Sequence, residues 1–119
     1  MPRILVVDDE AAIRTLLCAV FQGAGYEVRS AAAGHEALAL LDAETFDAVL
    51  SDIVMPGMDG HELMRWVSQR HPKTACVLMS GYDVGCLDCP LSPGCTMLRK
   101  PFRPRDAVSL VERVMSGAR

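Results

Sequence analysis

No run of apolar residues in this 119-residue chain approaches the roughly 20 that a bilayer span requires. Met1-Pro2-Arg3 leads straight into a strand pattern and not into a signal peptide, so no membrane insertion of this domain is expected and the cytoplasm is the expected location. An excess of basic charge is lacking too. Twelve Lys+Arg against fifteen Asp+Glu leave a net charge of −3, without the field that non-specific binding to a nucleic-acid backbone needs. The five cysteines are odd in number and do not read as a disulfide framework. Cys18 and Cys76 fall within apolar runs, where a thiol is usually a small hydrophobe. No repeat and no low-complexity linker divides the sequence, so residues 1–119 are expected to form one domain. Neither a GxxxxGK[ST] phosphate loop nor a phosphodonor histidine motif is present, His35, His61 and His71 standing apart from one another. The chain therefore does not read as a kinase.

What the sequence does contain is an alternation of short apolar runs with helical periodicity. Ile4-Leu5-Val6-Val7 suits a strand covered on both faces and ends abruptly in Asp8-Asp9-Glu10. Ile13, Leu16, Leu17, Val20 and Phe21 recur at three and four positions and predict a helix over 10–22. Strands are predicted at 26–30, 46–50 running into Ser51-Asp52, 75–79 ending in Ser80, and 97–99. Helices are predicted at 34–43, around Leu63, Met64 and Val67, and from Pro104, with Ala107, Val108, Val111 and Met115 inward. Five strands separated by helices describe a parallel α/β sandwich with right-handed crossovers.

In such sheets the ligand crevice lies outside the carboxyl ends of the strands, and Asp8, Asp52, Ser80 and Lys100 each follow a predicted strand. Asp8, Asp9 and Asp52 would place three mutually repelling carboxylates around one cavity, a conflict that a hard divalent ion such as Mg²⁺ resolves. The bland alternative is that Asp8 and Asp9 merely start a helix, where negative side chains are favourable. Lys100 supplies a cation suited to a tetrahedral anion, and the Ser80 hydroxyl can donate to a phosphoryl oxygen.

Four segments together resemble the response-regulator receiver family: the Ile4–Glu10 opening, Asp52-Ile53-Val54-Met55-Pro56-Gly57-Met58-Asp59-Gly60, Met79-Ser80-Gly81-Tyr82 and Lys100-Pro101-Phe102. The resemblance implies a doubly wound five-stranded parallel sheet of order 2-1-3-4-5 with helices on both faces. It also implies that Asp52 accepts a phosphoryl group and that Asp8, Asp9, Asp52 and the Val54 carbonyl hold Mg²⁺. Lys100 would pair with the phosphoryl group and Ser80 would act as the switch hydroxyl. The implied partner is a sensor histidine kinase or histidine phosphotransfer domain, and the implied activity is Mg²⁺-dependent self-phosphorylation from a phosphodonor with slow self-dephosphorylation.

Two departures from the family pattern stand out. Gly85, Pro90, Pro93 and Gly94 interrupt the interval between Ser80 and Lys100, so a missing or shortened fourth helix is expected. Leu98 occupies the place where the family carries a switching aromatic two positions before the lysine. Cys86-x-x-Cys89 and Cys95 offer three thiolates to Zn²⁺ or an exchangeable dithiol, but no fourth ligand accompanies them and incidental loop cysteines are the simpler reading. Two rival functions are a Mg²⁺-dependent small phosphatase or phosphotransferase and a non-phosphorylated receiver-like interaction domain. The first lacks a general acid near Asp52, because Val54 cannot transfer a proton. Leu98 and the broken interval favour the second, which the intact set Asp8, Asp9, Asp52, Ser80 and Lys100 opposes. The output partner is not identified, and both a single-domain regulator and a piece of a longer regulator or hybrid sensor histidine kinase are compatible with the sequence.

Overall fold

The computed structural model describes residues 2–80, 96–99 and 102–116, with Ser80, Thr96, Met97 and Arg99 placed as strand positions. The expectations attached to Cys86, Cys89, Cys95 and Lys100, and to the helix-breaking residues between 81 and 95, lie outside the described residues. The strands are β1 (Arg3–Val7), β2 (Glu27–Ala31), β3 (Ala48–Asp52), β4 (Ala75–Ser80) and β5 (Thr96–Arg99). The helices are α1 (Ala11–Gly23), α2 (Gly34–Ala43), α3 (Gly60–Arg70) and α4 (Pro104–Met115).

Strand order is β2-β1-β3-β4-β5 with every neighbour parallel. Side chains of a strand point alternately to the two faces of its sheet. Ile4 and Val6 accordingly join Leu17, Phe21, Ala107 and Val111 beneath α1 and α4. Leu5 and Val7 join Ala37, Leu41, Leu63 and Val67 beneath α2 and α3. A strand that faces helices on both sides must be apolar at every position, which is why Ile4 to Val7 show no polar alternation and are all fully buried.

The turn from α1 into β2 is built locally. Gly25 takes φ +93°, a left-handed conformation that glycine adopts without steric penalty. Tyr26 then folds back, donating its amide to the Phe21 carbonyl at 2.9 Å and packing edge-on against the Phe21 ring at 5.0 Å between centroids. At the amino edge of the sheet, Arg3 pairs with Glu27 at 2.9 Å and Glu44 at 3.5 Å, and its amide donates to Asp47 Oδ2 at 2.7 Å. Tyr26 and Phe46, expected at strand starts, precede β2 and β3.

The expected fold class is corrected on one point. Residues 81–95, to which the missing or shortened helix is assigned, lie outside the described residues, while the fourth helix in chain order, α4, is the one expected from Pro104 and is full-length. It spans 12 residues, against 13, 10 and 11 in α1, α2 and α3. Pro104 opens it with a φ already set for a helix, and Asp106 Oδ2 accepts the Arg103 amide at 3.3 Å. Ala107, Val111 and Val114 supply a complete buried stripe. The sheet has a body of four strands of five or six residues, β2-β1-β3-β4, to which the four-residue β5 adds a short edge. Among the described residues no helix is long and apolar enough to cross a membrane.

Candidate functional site

β1 and β3 are sheet neighbours, Val7 lying opposite Ser51, but the chain leaves β1 for β2 on one side and reaches β3 on the other. At such a reversal of strand order a crevice opens outside the carboxyl ends, and Asp8 and Asp52 stand there. Asp8 is fully buried, Asp52 is 7% exposed, and Asp9 faces solvent.

The turn after β1 is tied down at several points. The Asp8 amide donates to the Ala31 carbonyl at 3.1 Å, extending the β1–β2 ladder. Asp8 Oδ1 accepts the Glu10 amide at 2.9 Å, and the Asp8 carbonyl accepts Arg14 Nη1 at 2.7 Å. The turn after β3 is held comparably. Ser51 Oγ donates to the Asp52 carbonyl at 2.9 Å, and the Ile53 amide donates to the Met79 carbonyl at 3.0 Å. Ile53 and Met55 are buried in the α2/α3 core, while Val54 between them is 56% exposed.

The loop then turns through Gly57 at φ +79°, and Asp59 caps α3 by accepting the Glu62 amide at 2.9 Å. Gly60, the first residue of α3, donates its amide to the Ile53 carbonyl at 2.8 Å. A Cβ at Gly60 would overlap the Asp52 carbonyl oxygen and come within 2.9 Å of Ile53 Cα and Leu78 Cδ2. Only glycine lets the helix start this close to the back of the Asp52 peptide.

One carboxylate oxygen from each of Asp8, Asp9 and Asp52 lies within 4.8 Å of the others. Oxygens on opposite sides of an octahedral Mg²⁺ are about 4.2 Å apart, twice the ion–oxygen distance, so this donor set fits a hard divalent cation with little closure. Of the expected site residues, the structure brings these three acids together and puts Val54 two residues past Asp52, its side chain outward. Ser80 is the last residue of β4, opposite Arg99 of β5. Leu98 is buried against the α1/α4 core, 7% exposed. The sequence reading did not single out Arg14, Ser51 or Gly60. Arg14 carried one signal, as the sole charged residue within α1.

The model of the family described as "Response regulator receiver domain" matches residues 4–112. The transcriptional regulator NtrC of Salmonella typhimurium is 40% identical over 121 residues, covering 93% of this chain and 24% of that protein. The response regulator receiver protein CpdR of Brucella abortus is 34% identical, covering 99% of this chain and 100% of that protein. Among solved structures, the chemotaxis response regulator CheY4 of Vibrio cholerae superposes with a TM-score of 0.86 at 33% identity, covering 96% of this chain and 98% of that one. The chain thus spans about a quarter of NtrC but the full length of CpdR. It belongs to the response-regulator receiver family. Its acidic cluster is the kind of site at which non-kinase receivers carry out Mg²⁺-dependent phosphotransfer.

Proposed function

We propose that residues 1–119 form the receiver of a two-component system, in which Asp52 accepts a phosphoryl group from a phosphohistidine on a sensor histidine kinase or histidine phosphotransfer domain. The observation that carries this reading is the convergence of Asp8, Asp9 and Asp52 within 4.8 Å, from two sheet neighbours 44 residues apart. An Asp52 carboxylate oxygen attacks phosphorus, the P–N bond to the partner's imidazole breaks with its electron pair going to nitrogen, and a mixed anhydride remains on Asp52. Asp8, Asp9, Asp52 and the Val54 carbonyl would hold Mg²⁺, which when bound offsets negative charge on the phosphoryl oxygens. Lys100 adds a second positive charge to the phosphoryl group, and Ser80 donates a hydrogen bond that reports its arrival to the neighbouring loops.

Hydrolysis of the anhydride resets the domain, slowly, because Val54 offers no polar group to orient water. The signal leaves through a protein surface and not by direct contact with nucleic acid, and the domain works in the cytoplasm. The phosphatase reading is disfavoured by the same valine.

The test is incubation with acetyl phosphate or phosphoramidate and Mg²⁺, followed by intact-mass measurement. A gain of one phosphoryl group that requires Mg²⁺ and disappears in Asp52→Asn is expected. No gain, or a gain that survives in Asp52→Asn, refutes the assignment.

A further inference from the structure

Arg14 is an unusual residue for its position. It is the only charged side chain in the 13 residues of α1, whose solvent-facing positions Ala11, Ala12, Thr15, Leu16 and Ala19 carry none. A charge kept for solubility would sit at one of those places, yet Arg14 is half-buried. It also lies near the positive end of the helix dipole, where a cation is disfavoured, so helix stability does not explain it. A side-chain bond leads out of the helix and back to the acidic turn, Nη1 donating to the Asp8 carbonyl at 2.7 Å.

We propose that Arg14 is a positioning residue for the acidic site, holding the turn between β1 and α1 so that Asp8 and Asp9 face a divalent cation as a set. The Asp8 amide is tied to β2 and its Oδ1 to the Glu10 amide. Those bonds fix the strand end and the local turn. The guanidinium holds the carbonyl of the next peptide, the one linking Asp8 to Asp9, which is exposed and needs its backbone held to keep a defined direction. A charged donor makes a stronger bond to a carbonyl than a neutral one, and the arginine fork arrives with little orientational freedom left to lose.

This inference rests on the acidic site proposed above, and its test separates the two. Mg²⁺ titration calorimetry is run on the wild type, Arg14→Ala and Arg14→Lys, with amide hydrogen exchange of Glu10 followed in metal-free protein. Loss of an outer partner of a metal ligand typically weakens binding by about 10-fold or more, and that is expected for Arg14→Ala. The Glu10 amide should exchange faster in the same variant, without metal. Arg14→Lys, which can donate to the same carbonyl, should restore affinity to within about threefold of the wild type.

A wild type that takes up no Mg²⁺ refutes the acidic-site reading itself. A wild type that binds, with Arg14→Ala within about twofold of it, overturns the role of Arg14 alone. A loss in Arg14→Ala that Arg14→Lys leaves untouched overturns it equally. Should Arg14→Ala fail to fold, Arg14→Gln carries the same comparison, with the same outcomes deciding.

Discussion

Replacing Gly60 by alanine tests whether the start of α3 sets the position of Asp52. The new methyl would overlap the Asp52 carbonyl oxygen and meet Ile53 Cα at 2.9 Å, so helix and peptide must part by about 1 Å to reach ordinary contact. Both of those atoms belong to the backbone, which cannot swing aside as a flexible side chain does. Overpacking of this kind costs about 1–3 kcal/mol. Straining the 2.8 Å bond from the Gly60 amide to the Ile53 carbonyl adds up to about 1 kcal/mol. Alanine returns at most about 1 kcal/mol through its better helix propensity. The net loss is therefore about 2 kcal/mol, or roughly 10 °C in Tm for a domain of this size.

Urea and thermal denaturation read that loss, and intact mass after acetyl phosphate treatment reads the functional part. Displacing the Asp52 peptide should slow phosphoryl uptake by about 10-fold or more, given how sharply reaction rates fall with misplacement of the reacting group. Gly23 is the matched control. A Cβ there meets nothing within 4 Å, so Gly23→Ala should leave stability unchanged or improve it. A Gly60→Ala protein within about 0.5 kcal/mol of the wild type, taking up phosphate at the native rate, would refute the argument.

Other outcomes follow from single positions. Val54→Asn puts a polar group at an exposed site two residues past Asp52, and it should shorten the lifetime of the phosphorylated protein severalfold. Mass spectra taken after donor removal measure this, and an unchanged lifetime counts against it. Leu98→Ala empties a buried place in the α1/α4 core and should cost about 2–4 kcal/mol in urea denaturation. Burial, reinforced by Glu112 and Asp47, pushes the Tyr26 phenol above its ordinary value of 10.0. Below that value the phenol is neutral in both folded and unfolded chains and its contribution is fully present. As the pH climbs past it the unfolded chain ionises first, so stability should fall until the folded phenol ionises too. Urea midpoints measured from about pH 9 to 11 should show this decline in the wild type and a flatter one in Tyr26→Phe.

Much of the architecture was legible because each element carries its own signal. The unbroken run Ile4 to Val7 could only be a strand covered on two faces, and the helical spacing of Leu17 and Phe21 fixed the inner side of α1. The acidic trio was legible for a different reason: parallel strands deliver their carboxyl ends to one edge, whatever lies between them. Strand starts were less readable. Phe46 is apolar and buried like a strand residue, but its carbonyl accepts Thr74 Oγ1 at 2.8 Å and the ladder begins only at Ala48.

Arg14, Ser51 and Gly60 escaped because their roles lie in contacts with main-chain atoms, which no side-chain pattern encodes. A glycine within Met58-Asp59-Gly60 reads as a turn residue. That it is required by the Asp52 carbonyl emerges only when α3 is set against β3. The expected helix defect belongs to residues 81–95, outside the described residues, whereas the spacing of Ala107 and Val111 after Pro104 made α4 legible.

The pairing of β1 with β3 has a consequence for how the protein comes into being. These strands are not joined by a hairpin, so Asp8 and Asp52 come together only after the intervening strand and both helices have been made and β3 has docked at the centre of the sheet. A nascent or misfolded chain can carry all three acids but has no meeting place for them. The grouped acidic set is thereby conferred by completed assembly, and a chain that has not yet finished folding offers a divalent ion only scattered carboxylates.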